Sequence, residues 1–355
     1  MILKKIKVKN FRNLSDEIVS FSHNLNLIVG KNGNGKTNLL ESIYYLLRGK
    51  SFKKKNSFSH VLSAECVKNE IIYNASIDDY FLSGTFRSNE NVFYKDNKKH
   101  KRINGEVFFI SPSEAFQFFN IPAFRKDKFN YLMSSIDKEY RTNLKKYETL
   151  ISQKNSILKQ KVKYDPTLLE VINKDLAKYI LYLSTKRSEF LKKISNIFKN
   201  TYRNIFSEEI KIDIGLNSSF LGLNLDEIIK KLQSGLNEEL NSKVSLKGSH
   251  KDDYDIFIDG FLVQEYASIG QMKMAYFSLI FSFLELFFNK NNERPLLLID
   301  DVSGELDHIR LEKLIDYLAT VNIQVFLTSA NEEILSLFKE SFRAIRISNG
   351  QYLNI

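Results

Sequence analysis

The stretch from Leu27 to Gly49 constrains this chain more than any other. Leu27-Ile28-Val29 is a short apolar run, as of a buried strand. Gly30-Lys31-Asn32-Gly33-Asn34-Gly35-Lys36-Thr37 follows, with Gly30 and Gly35 enclosing four residues and Lys-Thr closing the loop. Leu39, Leu40, Ile43, Leu46 and Leu47 then recur as one stripe of a helix. Strand, glycine loop and helix in that order predict an α/β fold built to hold phosphate. The glycines let backbone N–H groups turn inward, and the helix N-terminus adds partial positive charge. Lys36 is placed to reach the β- and γ-phosphates and the Thr37 hydroxyl to ligate Mg²⁺.

Bulk properties bound the rest. At 355 residues and 43% hydrophobic, the chain can bury a real core. A formal net charge of +10 points to a polyanionic partner such as nucleic acid; the bland alternative is a lysine-rich composition bias. One cysteine, Cys66, excludes an internal disulfide framework and suits a reducing cytoplasm. The start, Met-Ile-Leu-Lys-Lys-Ile-Lys, lacks the longer apolar core of a secretion signal. Met274 to Phe288 is the most apolar stretch, but Ser278, Ser282 and Glu285 interrupt it, so it reads as a buried helix and no membrane is expected.

Along the chain, residues 1–30 read as two strands, with Ile2, Ile6 and Val8 on one face. Phe11-Arg12-Asn13 ends the first, and Arg12 is either a surface residue or one that folds back to a bound nucleotide. Residues 50–105 are short strands with two basic clusters, Lys53-Lys54-Lys55 and Lys95, Lys98, Lys99, His100, Lys101 and Arg102. Each is either a set of phosphate contacts or a solvated loop. Asn104-Gly105 suggests a hairpin turn beside the second. Val107-Phe108-Phe109-Ile110 is another strand, and Arg125, Lys126 and Lys128 open a helix after Pro122.

Residues 136–206 differ in kind. Tyr140, Leu144, Tyr147, Ile151 and Leu158 recur at helical steps, Asp165-Pro166 breaks the pattern, and Leu169 to Ile197 resume it. Two long antiparallel helices of about 30 residues, roughly 45 Å each, are expected as a coiled-coil-like arm. The competing reading is a helical subdomain packed on the core. Residues 208–260 return to strands and one helix. His250 has no Cys or second His at metal spacing.

The last hundred residues supply acids and a second anion site. Ser268-Ile269-Gly270-Gln271 precedes the apolar helix, and small residues at a helix N-terminus hold anions. Leu296-Leu297-Leu298-Ile299 is an apolar strand ending in Asp300 and Asp301. Beside a glycine loop, the first acid belongs in the Mg²⁺ shell and the second orients or deprotonates the attacking water. Glu305-Leu306-Asp307 follows. Ile323 to Ser329 is one more core strand, with Thr328 near the γ-phosphate end.

Together these stretches resemble the RecF family of bacterial recombination mediators, relatives of SMC-type ATPase heads. The resemblance runs through Phe11-Arg12-Asn13, the glycine loop, Pro122 to Lys126, Tyr147 to Asn155, Gly248 to Asp253, Ser268 to Gln271 and Asp300 to Asp307. It implies an ABC/SMC-head-like P-loop ATPase with mixed sheets: head residues 1–135 and 207–355, and an inserted helical arm, residues 136–206. It implies ATP and Mg²⁺ held by Arg12, Gly30, Lys31, Asn32, Gly33, Asn34, Gly35, Lys36, Thr37 and Asn38, with Thr37 and Asp300 on the metal. Ser268, Gly270 and Gln271 would face the nucleotide of a second copy in an ATP-dependent homodimer. Lys36, Asp300 and Asp301 would be catalytic. The implied setting is cytoplasmic, with DNA at gaps as ligand and RecO and RecR as partners in loading RecA.

The chain departs from the family pattern in places. Gly248-Ser249-His250-Lys251 stands for the usual Gly-Pro-His-Arg, and Gly304 for serine. Asp301 occupies a position where many related ATPases carry Glu; its shorter side chain predicts slow hydrolysis, with ATP as a switch. A chromosome-organising SMC protein needs a far longer helical insertion than residues 136–206. A transporter ATPase usually has a His after the last core strand, where this chain reads Thr328-Ser329-Ala330-Asn331. An ATP-binding DNA scaffold that does not hydrolyse is the stronger rival.

Overall fold

The structure, a computed structural model, describes all residues except 54–56, 89, 101–104, 160–165, 207–208, 303–305, 340–341 and 355. Lys54, Lys55, Lys101, Arg102, Asn104, Asp165, Gly304 and Glu305 therefore lie outside the described residues. The chain divides into two compact units, Met1–Glu114 with Asn292–Ile355, and Ala115–Asn291.

The first unit holds two six-stranded sheets. One is antiparallel: β2 (Ile18–Ser20), β1 (Leu3–Lys9), β4 (Ile71–Ile77), β5 (Tyr80–Phe86), β6 (Asn91–Lys95) and β7 (Lys98–His100), in that order. The other runs β15 (Gln351–Asn354), β14 (Phe342–Ser348), β3 (Leu25–Val29), β13 (Gln324–Ser329), β12 (Leu296–Ile299) and β8 (Val107–Ile110). It is parallel except for the β14–β15 hairpin. Every residue of β3, β12 and β13 is buried, as expected of central parallel strands covered on both faces. Three helices belong here: α1 (Lys36–Arg48), the single turn α2 (Phe58–Val61) and α11 (His308–Thr320). One apolar core takes Ile6 and Val8 from β1, Tyr73 from β4, Leu39 and Ile43 from α1, and Leu298 and Phe326 from the parallel sheet.

Several local readings shift by a residue or an element. Residues 1–30 make three strands, not two, and β2 and β3 belong to different sheets. Leu3 rather than Ile2 joins Ile6 and Val8 inside, because the pairing register slips between Leu3 and Lys5. A slip of one residue exchanges the faces of a strand. The β6–β7 turn is at Asp96-Asn97, both left-handed (φ 47° and 65°), where Asp and Asn are well tolerated.

The second unit is mostly helical. It contains α3 (Pro112–Asn120, which begins just before it), α4 (Pro122–Ile136), α5 (Lys138–Leu158), α6 (Pro166–Ile205), α7 (Leu225–Ser234), α8 (Leu236–Ser242), α9 (Val263–Tyr266) and α10 (Ile269–Asn291). A small antiparallel sheet orders β11 (Phe261–Leu262), β10 (Asp253–Ile258) and β9 (Ile212–Asn217). α10 is apolar and long enough to cross a membrane, but it is the core helix of this unit, buried from Met272 to Leu284 and packed on α4 and α6.

The helical pair predicted for residues 136–206 is present as α5 and α6, with 21 and 40 residues rather than two equal arms. α6 does not pair with α5 alone. It also packs on α7, α10 and β9, so the competing reading, a packed helical subdomain, describes it better than a projecting arm. Residues 207–291 share this unit rather than the one that carries the glycine loop, so the expected boundaries at 135/136 and 206/207 do not coincide with 114/115 and 291/292.

Candidate nucleotide-binding site

The site stands at the carboxyl ends of three adjacent parallel strands. Val29, the last residue of β3, pairs with Ser329 of β13, and Ile299, the last of β12, pairs with Leu327. The residues that follow, Gly30 and Asp300, thus flank Thr328. Ligands of open α/β sheets bind at such edges.

Gly30 leaves β3 with φ 155°, and a Cβ there would lie 2.3 Å from the Ile347 carbonyl oxygen of β14. Only glycine allows that approach. At Gly35 φ is 111°, and it serves as the N-cap of α1 with no side-chain cap, while the first turn of α1 has no acidic residue. The first N–H groups and the dipole are therefore left for an external anion. Asn32, Gly33, Gly35, Lys36, Thr37 and Asn38 line a pocket of about 200 Å³ with Asp300 and Asp301. Lys31 is exposed beside it. Asn34 faces away and fixes the loop, donating through its side chain to Ile347 O at 3.2 Å and accepting from Gly350 N–H at 2.9 Å.

Lys36 folds under the loop, its Nζ donating to the carbonyl oxygens of Gly30 (2.7 Å) and Lys31 (3.1 Å). Burial lowers its pKa, against the attraction of Asp301 and Asp300. The Thr37 hydroxyl donates to Asp300, 2.9 Å from each carboxylate oxygen. Thr328 donates from its hydroxyl to Asp300 Oδ1 at 2.7 Å and accepts from the Asp301 N–H at 2.7 Å. Burial raises the Asp300 pKa; the Thr328 and Thr37 hydrogen bonds offset part of this and Asp301 adds to it. A cation beside Asp300 would relieve that burden.

Thr37 and Asp300 together present hard oxygen donors, the set Mg²⁺ takes. No group of three or more His, Cys, Asp or Glu that could hold a metal occurs among the described residues, so a cation at this pair would need phosphate and water oxygens to complete its shell. Asp301 is exposed and left-handed at φ 51°, which turns its side chain away from the strand line.

Arg12 does not line the pocket. Its guanidinium grips Glu41 of α1 in a two-pronged pair, Nε to Oε2 at 2.6 Å and Nη2 to Oε1 at 3.0 Å. Glu41 is fully buried, one helical turn beyond Thr37, and also receives the Ser51 hydroxyl and lies 3.4 Å from Lys53 Nζ. Burial alone would raise the Glu41 pKa; Arg12, Ser51 and Lys53 reverse that and hold it low. Asn13 completes the group, its Oδ1 accepting from the Asn38 side chain at 2.7 Å. Glu41 escaped the sequence reading, as did the contact of Asn13 with Asn38. No sequence signal marks Glu41, which lies opposite the stripe of Leu39, Leu40, Ile43, Leu46 and Leu47 on a helix buried nearly all round.

Ser268, Gly270 and Gln271 belong to the second unit. Ser268 and Gln271 close the start of α10 reciprocally: Gln271 Oε1 accepts from the Ser268 N–H at 2.8 Å, and Ser268 Oγ from the Gln271 N–H at 3.3 Å. Ser268 stays exposed.

In the same unit, three stretches that carried the family resemblance meet in one polar core. Arg125 of α4 binds Asp253 (Nε to Oδ1, 2.8 Å), and Lys126 donates to the His250 carbonyl. Arg187 of α6 binds Asp252 and the Ser249 carbonyl, while Tyr147 of α5 meets His250 Nδ1 at 2.7 Å. Lys154 pairs with Glu239 at 2.6 Å, both fully buried, and Asn155 accepts from Ser245 N–H. These residues anchor the turn at 248–253 to three helices. His250 is pushed down to about 4 by burial and by Lys251 and Lys126, with the bond to the Ser245 carbonyl and Glu239 opposing.

A parallel sheet that ends in a glycine loop on one strand and a half-buried acid on the next but one defines a P-loop nucleotide-binding head of the ABC/SMC kind. Comparison with known proteins narrows the class. Residues 2–352 match the family model RecF/RecN/SMC N terminal domain. The DNA replication and repair protein RecF of Clostridioides difficile (strain 630) is 32% identical over 382 residues, covering 100% of this chain and 99% of that one. Its namesake from Carboxydothermus hydrogenoformans is 30% identical, covering 99% of each chain. A solved structure of the recombination mediator protein RecF-ATPrS of the RecFOR pathway superposes with a TM-score of 0.83 at 27% identity, covering 99% of this chain and 98% of that one. The chain belongs to the RecF/RecN/SMC family, and the two curated relatives named above, matched along their whole length, are RecF proteins. An SMC head at 12% identity and TM-score 0.59 shares the fold.

Proposed function

We propose that this chain is an ATP-dependent DNA-binding recombination mediator of the RecF type, with ATP and Mg²⁺ as cofactors. The observation that carries the proposal is the convergence of Lys36, Thr37 and Asp300 at one sheet edge, in a chain alike to RecF proteins along its whole length. Residues 30–38 wrap the phosphates with backbone N–H groups. Lys36 exchanges its two carbonyl partners for phosphate oxygens. Thr37 and Asp300 would hold Mg²⁺, which would supply positive charge against the phosphates.

Two copies assemble on ATP, each nucleotide lying between the glycine loop of one and Ser268, Gly270 and Gln271 of the other. Arg12 joins the nucleotide only by leaving Glu41. Asp301 orients the attacking water, and its short side chain keeps hydrolysis slow, so that ATP sets the lifetime of the dimer on DNA. Bound at DNA gaps, the dimer helps RecO and RecR load RecA in repair, replication restart and SOS induction. In support stand the exposed Ser268 and Asp301 and the net charge of +10.

Sedimentation of the purified chain with and without Mg²⁺-ATP, repeated with gapped duplex at several salt concentrations, tests the proposal. A nucleotide-dependent dimer whose DNA lifetime follows ATP is expected; a monomer at saturating nucleotide overturns it. A scaffold that binds ATP without hydrolysing it is the second reading, favoured by Asp at position 301. Turnover lost in Asp301→Asn and Lys36→Arg argues for the switch, whereas DNA binding indifferent to nucleotide in the unaltered chain argues for the scaffold.

A further inference from the structure

The second unit carries a hollow of about 910 Å³ between the last turns of α6 and the β9–β10 sheet. A second hollow of about 400 Å³ continues it toward the middle of α6, sharing Lys199 and Asp213 and reaching Lys192. The α6 wall, from Lys192 through Lys199 to Arg203, repeats at helical steps and presents lysine, arginine, serine and asparagine without one acid. Lys211 faces it from the start of β9. Lys192, Arg203 and Lys211 are exposed and have no ion-pair partner among the described residues. Lys199 alone is paired, to Asp213 at 3.1 Å. Two further carboxylates share this face of the sheet: Asp255, opposite Gly215, and Asp253, opposite Asn217, which Arg125 holds. The Phe257 ring is half-buried in the floor, and Gly260 beside it leaves open space.

Unpaired cations at two points of one wall and a third facing them, with an aromatic ring in the floor, are what a single nucleic-acid strand needs. Cations follow its phosphates, and a ring takes one base face. A duplex buries its bases and has no use for Phe257. An acidic peptide matches the cations but not the ring.

We propose that this groove binds single-stranded nucleic acid, with Lys192, Arg203 and Lys211 on phosphates and Phe257 under a base. The inference rests on the DNA-binding reading above and adds a surface and a strand type to it.

The test uses the full chain, a fluorescent oligothymidine and a blunt duplex, and anisotropy at several salt concentrations. Joint Lys192→Ala, Arg203→Ala and Lys211→Ala changes are expected to cost at least about tenfold in single-strand affinity at low salt. They should also flatten log K against log salt by about 2, from roughly 0.7 per lost phosphate contact. Phe257→Ala is expected to weaken single-strand binding by about fivefold to a hundredfold and leave duplex binding unchanged. Asp213→Asn releases Lys199 and is expected to tighten binding and steepen the salt dependence, a gain that misfolding does not produce. An unchanged far-UV circular dichroism spectrum and urea midpoint report that the variants fold.

Unaltered salt slope in the triple variant overturns the proposal, as does weaker binding in Asp213→Asn. So does a polyglutamate peptide that binds as tightly as the oligonucleotide and loses affinity in the triple variant. If the unaltered chain binds no DNA, the RecF-type reading falls too; if it binds and the triple variant does not differ, only the groove falls.

Discussion

Glu41 is a buried carboxylate held by a guanidinium, a hydroxyl and an ammonium. Removing one partner of such a group leaves the rest uncompensated, at about 3–5 kcal/mol. Arg12→Ala is therefore expected to lower the urea midpoint far more than an exposed change such as Lys4→Ala. Glu41→Gln should restore part of the loss when combined with it, as a double-mutant cycle would read. Thr328 serves two neighbours at once, donating to Asp300 and accepting from Asp301. Thr328→Val is expected to slow ATP hydrolysis by about tenfold or more, while ATP affinity measured without Mg²⁺ changes little. An unchanged turnover number would separate Thr328 from the chemistry.

At the scale of elements, the junction of β3 with β14 depends on Gly30. A methyl group there meets backbone rather than a movable side chain, so Gly30→Ala is expected to destabilise the first unit by more than about 2 kcal/mol and abolish ATP binding. The turn at 248–253 gives a pH signature. His250 falls from its ordinary 6.5 to about 4 in the folded chain, so the unfolded chain takes up the proton first as acid is added. Its contribution is complete above pH 6.5 and is lost as pH falls toward 4, at most about 3 kcal/mol. Denaturation midpoints from pH 7.5 to 4.5 should decline less steeply in His250→Asn than in the unaltered chain.

The same elements show what the sequence made legible. The strand–loop–helix of residues 27–49 and the acid-ended strand at 296–301 announced themselves because buried parallel strands are continuous apolar runs and glycine loops are compositionally rare. Arg12–Glu41 and Arg187–Asp252 stayed hidden, since each pairs residues of ordinary type that only the tertiary fold brings together. The α6 helix misled for a related reason: its apolar stripe announces a buried face but not whether α5, α7 or α10 covers it.

At the scale of the whole molecule, the proposed dimer requires residues from both units. Hydrogen exchange distinguishes the contributions. In dilute chain with ATP, residues 30–38 should gain protection while 268–271 exchange as before. At concentrations that dimerise, 268–271 should slow as well, and Ser268→Arg should remove only this second effect. Protection of both segments at every concentration would mean that one copy suffices.

The strand order carries a last lesson. The backbone departs the parallel sheet after Ile110 and rejoins it at Leu296, which pairs with the adjoining strand, and Asp300 N–H donates straight to Ile110 O at 2.9 Å. Topologically, everything from Ala115 to Asn291 is a single detour spliced between neighbours. Such a layout makes the detour an exchangeable cassette: its two ends are already stitched together by a ladder rung, so evolution could lengthen, shorten or replace it without re-threading the parallel sheet.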